Sequence, residues 1–219
     1  MSLVIVGAGP NLGMAVAKRF GQEGFAVGLV SRTQAKLDAL ALELEGHDIR
    51  AAGAAADIRD PDALTGAIDA LAQALGPVSV LEYSPLPARE FMKPVLETSV
   101  DDVRGPLEFS VLGAVAATRA VLGHMRETGQ GTILFTTGGA AINPNPQRTG
   151  VGISFAGEVA YARMLHEELA GQGIHVAHTA VGGRIAPGED HEPDDVAEIL
   201  WRHHVERDGF QTLLGIPAA

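Results

Sequence analysis

The 219-residue chain contains no cysteine. That excludes a disulfide-stapled scaffold, a thiolate zinc site and a cysteine nucleophile together. It has no run of 18 apolar residues, so composition along the chain offers no bilayer-spanning segment. Bases are scarce: 16 Lys and Arg face 27 Asp and Glu, a net charge of -11. A chain this acidic repels phosphate backbones and anionic membrane surfaces, which argues against nucleic acid and membranes as partners. Met1-Ser2-Leu3 runs at once into Val4-Ile5-Val6, without the basic start and longer apolar stretch of an export signal. The expected location is the cytoplasm.

What the chain does have is alternation. Short apolar runs at Leu3–Val6, Ala26–Val30, Ile49–Ala55, Val78–Leu81, Thr132–Thr136, Ile174–Ala180 and Gln211–Leu214 read as strands. Between them, Leu12–Gln22, Gln34–Glu45, Pro61–Leu75, Val100–Glu127, Gly152–Ala170 and Pro193–Glu206 read as helices. Strands that alternate with helices of this length predict an α/β fold: one doubly wound, Rossmann-type domain over residues 1–219, with a mostly parallel seven-stranded sheet and helices on both faces. Asp60 before Pro61 is an N-cap followed by proline at the first helical position, and Glu192-Pro193-Asp194-Asp195 repeats the pattern. Gly171 and Gly173 mark the end of the long helix before Ile174. The Pro-rich stretches Ser84–Pro94 and Asn143–Pro146 read as loops at the sheet edge.

The first strand runs into Gly7-Ala8-Gly9-Pro10-Asn11-Leu12-Gly13 and then a helix. Glycines there permit a tight turn and let backbone approach a pyrophosphate, while the helix start offers free N–H groups and a positive dipole end. The second strand ends at Ser31-Arg32 instead of an acid. An acid would suit the ribose of NAD; Arg32 with Ser31 suits the 2′-phosphate of NADP, or Arg32 is an exposed strand-end arginine. Asp57, after the third strand, is either an acceptor for the adenine amino group or a turn acid.

With these loops in place, the chain resembles the short-chain dehydrogenase/reductase superfamily over essentially its whole length. The carriers are Val4–Gly9 with Gly13, Ser31-Arg32, Ala56-Asp57-Ile58, Gly131–Leu134, Leu165–Leu169 and Gly173–Val176. The resemblance implies NADP(H) as cofactor, a small carbonyl or alcohol as substrate, and a homodimer or homotetramer built on the long helices. The middle glycine of the family's Gly-x-x-x-Gly-x-Gly loop is Asn11, a residue that tolerates left-handed backbone angles.

The family's chemistry rests on Asn, Ser, Tyr and Lys, with tyrosine as general acid/base and lysine on the nicotinamide ribose. Counting along the chain puts those positions at Ser110, Gly138, Val151 and Phe155. The only lysines are Lys18, Lys36 and Lys93, and Tyr83 and Tyr161 are followed four places later by Pro87 and Leu165, so no Tyr-x-x-x-Lys exists. The residues able to substitute are Tyr83, Thr137 and Glu82, in that order. Glu82 ends a buried strand and there needs a partner, or it emerges into solvent. His175 and His178, three apart on a strand, face opposite sides, and the adjacent His203 and His204 diverge, so no metal site is expected. Trp201 reads as core or interface. Two functions stand: an atypical NADP-dependent oxidoreductase, or a redox-silent relative acting as a nucleotide or ligand sensor, partner subunit or non-redox catalyst.

Overall fold

The computed structural model describes residues 1–217. All seven strands pair in parallel, in the order β3-β2-β1-β4-β5-β6-β7. They are β1 (Ser2–Val6), β2 (Ala26–Ser31), β3 (Ala51–Ala55), β4 (Val78–Tyr83), β5 (Gly131–Gly138), β6 (Ile174–Val181) and β7 (Gln211–Leu214). The helices are α1 (Leu12–Gly21), α2 (Gln34–Glu45), α3 (Pro61–Leu75), α4 (Val100–Leu107), α5 (Gly113–Thr128), α6 (Thr149–Leu169) and α7 (Pro193–Glu206). The doubly wound fold expected from the alternation is therefore observed.

Alternation along the strands divides the core in two. Val4, Val6, Leu81, Tyr83, Ile133 and Phe135 pack under α3, α5 and α6, while Leu3, Ile5, Val80, Leu134 and Ala177 pack under α1, α2 and α7. β1, β4, β5 and β6 are buried on both faces, which is why they read as continuous apolar runs. Trp201 joins the second core edge-on to Phe20, with ring centroids 4.9 Å apart. Strand order reverses between β1 and β4, so a crevice opens above their carboxyl ends, the usual ligand position in such sheets.

The ends of the helices follow their sequences in part. Asp60 caps α3 by accepting from the N–H groups of Asp62 and Ala63. Glu192 does not cap α7; its carboxylate takes the Gly188 N–H instead, at 2.8 Å. Gly173 turns the chain into β6 with φ +73°, after a 3₁₀ turn that ends α6. The single helix expected over Val100–Glu127 is two helices joined by a π-turn at Glu108–Leu112. Among the described residues this run, Val100–Thr128, has the length and composition to cross a membrane, although Glu108, Ser110, Gly113, Thr118 and Arg119 keep it from being an unbroken apolar stretch. Half of its most apolar window is buried inside the protein.

Candidate functional site

The glycine loop owes its shape to Gly7. Its φ is +98°, and a Cβ there would stand 2.5 Å from Pro85 Cα and 2.9 Å from the carbonyl carbon of Ser84. Only glycine lets the β1–α1 turn close against the β4 loop at that distance. The N–H groups of Gly7 and Ala8 both bond the Val30 carbonyl at 3.0 Å, which fixes the loop to β2. Gly13 brings α1 against Ala8, 3.1 Å from where its Cβ would be. Gly9 and Leu12 complete the turn, and Asn11 precedes the helix with φ -96°. The left-handed angle expected at Asn11 is thus absent: Gly7 makes the reversal, and Asn11 is an exposed residue of ordinary negative φ.

Beside this loop lies a cleft of about 200 Å³, lined by Gly7, Ala8, Ser31, Arg32, Asp57 and Arg59 at one side and by Pro85, Leu86, Phe91 and Phe109 at the other. The expected cofactor residues Ser31, Arg32 and Asp57 therefore converge. Asp57 has its own partner: its carboxylate takes Arg59 Nη2 at 3.0 Å and the Arg59 backbone N–H at 3.0 Å. Arg59 holds this carboxyl below the usual range, with Arg32 adding to the effect. Asp57 closes an Asx turn and anchors a second arginine, Arg59. Arg59 went unread in the sequence, although its position two residues after Asp57 is that of an Asx turn.

The expected catalytic substitutes do not meet in the cleft. Tyr83 is fully buried, and its hydroxyl donates to the Phe109 carbonyl in the π-turn. Burial pushes that hydroxyl well above its ordinary pKa. Thr137, also buried, sits 2.8 Å from His178 Nε2, and His178 Nδ1 is 2.9 Å from Gln211. Glu82 lies on the opposite face of the sheet, where Ser84 and Thr136 donate to it at 2.8 and 3.3 Å. Glu82 meets no solvent, so of its two readings the partnered one holds. Its partners are hydroxyls, and burial raises its pKa to about 8.

Val151 and Phe155 are buried in the first turns of α6, one helical turn apart. A Cβ on Gly138 would be 3.4 Å from the Phe155 ring, so these positions adjoin and the surface between them is apolar. The polarity of this helix face resumes one turn later at Glu158, buried and raised well above the usual carboxylate range by desolvation, with the Ser110 hydroxyl opposing and the Glu82 carboxyl reinforcing the rise. Glu158 was missed in the sequence; an acid in the Val151, Phe155, Ala162 periodicity was its signal.

The histidines gather more than expected. His178 stacks on Phe210, His166 meets the same ring at a tilt, and the His203 and His175 ring centroids lie 6.4 Å apart. Among the described residues no group of three has metal-binding geometry.

The description "short chain dehydrogenase" fits residues 2–189 of the chain. Over 187 residues the chain is 30% identical to sulfoacetaldehyde reductase 2 of Chromohalobacter salexigens, covering 82% of this chain and 71% of that protein. It is 34% identical over 181 residues to a galactitol 2-dehydrogenase (L-tagatose-forming) of Cereibacter sphaeroides, covering 81% and 69%. The crystal structure of a short-chain dehydrogenase from Rhodopseudomonas palustris superposes with a TM-score of 0.86 at 27% identity, covering 99% of this chain and 98% of that one. The matched regions span 71%, 64% and 66% of the first three curated relatives' lengths.

Proposed function

The chain belongs to the short-chain dehydrogenase family, and from that premise we propose that it is an oxidoreductase that binds NADP(H) in preference to NAD(H) and acts on a small carbonyl or alcohol through a non-standard site. The observation that carries this reading is the pair of exposed arginines, Arg32 and Arg59, on either side of Asp57 in the cleft beside the glycine loop. The cradle at Gly7, too tight for any side chain, fits a pyrophosphate approached by backbone. When bound, the nicotinamide supplies or accepts the hydride. The chain's own residues bind and orient: Gly7 keeps the cradle clear of side chains, Arg32 offers charge-assisted bonds that NAD cannot use, and Phe91 and Phe109 wall the cleft from water.

No proton donor stands at Val151, and Phe155 offers neither charge nor hydrogen bond to a ribose. Losing general-acid catalysis forfeits ~10²–10⁴-fold in rate, so ordinary carbonyl reduction by the family's route is expected to be slow. The assembly is a homodimer or homotetramer, supported by the exposed Leu107, Leu112, Ile153 and Met164 on the α4–α5 and α6 helices.

Affinity for NADPH and NADH, measured by nucleotide fluorescence, tests the proposal. NADPH is expected to bind more tightly, and Arg32→Ala to erase the difference. Equal affinity in the unmutated protein refutes the preference, and absence of binding by either nucleotide refutes the reading. Hydride transfer to a panel of aldehydes and ketones, followed in the same samples, then separates a slow oxidoreductase from a redox-silent binder.

A further inference from the structure

Glu82 is a fully buried carboxyl at the crevice between β1 and β4. Its oxygens accept from two hydroxyls, Ser84 and Thr136. Every ion pair among the described residues lies elsewhere. Ser84 is also the residue on which the glycine loop closes. Its N–H bonds the Val6 carbonyl at 3.0 Å, and its own carbonyl carbon lies 2.9 Å from the position of a Gly7 Cβ. One serine therefore separates a buried carboxyl from the loop that faces the dinucleotide.

We propose that Glu82 and Ser84 couple dinucleotide binding to a proton: the loop accepts the dinucleotide while Glu82 is neutral, and ionisation of Glu82 weakens the complex. This rests on the dinucleotide reading above. A carboxylate buried beneath a site for an anionic pyrophosphate repels it through a medium that screens poorly. The hydroxyls of Ser84 and Thr136 serve either protonation state, donating to the carboxylate or accepting from the acid. Burial sets the Glu82 pKa near 8, with both hydroxyls pulling it down.

Among the described residues the surrounding charges are paired or exposed, apart from the buried Glu158 carboxyl, whose pKa Glu82 itself raises. β1 and β5 carry no titratable side chain. On α1, Lys18 pairs with Glu43, and Arg19 with Glu23 and Glu198. On α7, His203 and His204 are held by Thr212 and Thr132, and Asp194, Asp195, Glu198, Arg202 and Glu206 are exposed. Behind the sheet, Tyr83 is bonded to Phe109, the charged residues of α5 are exposed, and Glu158 is itself held toward the neutral form.

The test is the affinity for NADPH and NADP⁺ from pH 7 to 9.5, with proton uptake measured calorimetrically in two buffers of different ionisation enthalpy. Binding is expected to weaken above about pH 8, approaching about tenfold per pH unit, the limit for one linked proton. Proton uptake on binding is expected to rise over the same range. Glu82→Gln should abolish both effects. Ser84→Ala, which removes a hydroxyl that lowers the Glu82 pKa, should move the onset to higher pH, and it carries the test if Glu82→Gln fails to fold. Affinity independent of pH, an unchanged slope in Glu82→Gln, or an unmoved onset in Ser84→Ala overturns the proton link alone. No dinucleotide binding at any pH overturns the dinucleotide reading, and the link with it.

Discussion

Replacing His178 by glutamine should remove a loss of stability that the unmutated protein suffers as pH falls. His178 is fully buried between Thr137 and Gln211, with Phe210 stacked on its ring at 6.2 Å. Both ring nitrogens are engaged, one as donor and one as acceptor, which only the neutral imidazole satisfies. Burial lowers its pKa to about 4, with the charges of His203 and Arg163 acting in the same sense. The unfolded chain takes up a proton near pH 6.5, so stability is lost as pH falls below that value, and the loss levels off below the folded pKa. At pH 5 the loss amounts to about 2 kcal/mol.

Glu82 acts in the opposite direction. With its pKa raised to about 8, the folded protein holds a proton that the unfolded chain releases above ~4.5, so this group adds stability as pH falls through that window. The two contributions offset each other in the unmutated protein, whose net slope therefore says little about either. The difference between the two proteins isolates the histidine. In urea denaturation at pH 8 and pH 5, His178→Gln should gain about 2 kcal/mol on the unmutated protein between the two conditions. A difference that stays constant from pH 8 to pH 5 would refute a neutral, buried His178.

Gly7→Ala should abolish dinucleotide binding and lower the urea midpoint, because its methyl would enter the backbone of Ser84 and Pro85 at a φ that already costs ~1–2 kcal/mol for a side chain. Circular dichroism with a binding titration checks it, and tight binding by a stable variant would contradict the packing described. Light scattering at micromolar concentration should give at least a dimer mass; a monomer would leave Leu107, Leu112, Ile153 and Met164 uncovered in solution.

The seven strands and the helices covering both faces of the sheet were legible because burial on both faces leaves unmistakable apolar runs at Val4, Val80 and Val176, and because Asp60-Pro61 punctuates its helix. That Ser31, Arg32 and the glycine loop share one cleft was legible for a related reason: Gly7 and Arg32 are unusual choices at a strand end. The interior polar groups were not. Tyr83 looked available because sequence gives its position on β4 but not the π-turn that delivers the Phe109 carbonyl to its hydroxyl. Thr137 and His178 are 41 residues apart and meet only through β5–β6 register. Glu158 was hidden in α6 because an acid in a long helix is usually a solvated one.

The π-turn at Glu108–Leu112 works as a phase shifter. Each residue added to or removed from a helix rotates everything beyond it by about 100°. The wider turn inserts such a step, so α4 can lie against α6 while α5, its direct continuation, lies against α3. A one-residue deletion there would restore an unbroken α-helix and swing Gly113 away from the Tyr83 hydroxyl it accommodates. The length of this segment is fixed by two helices that must answer to different neighbours.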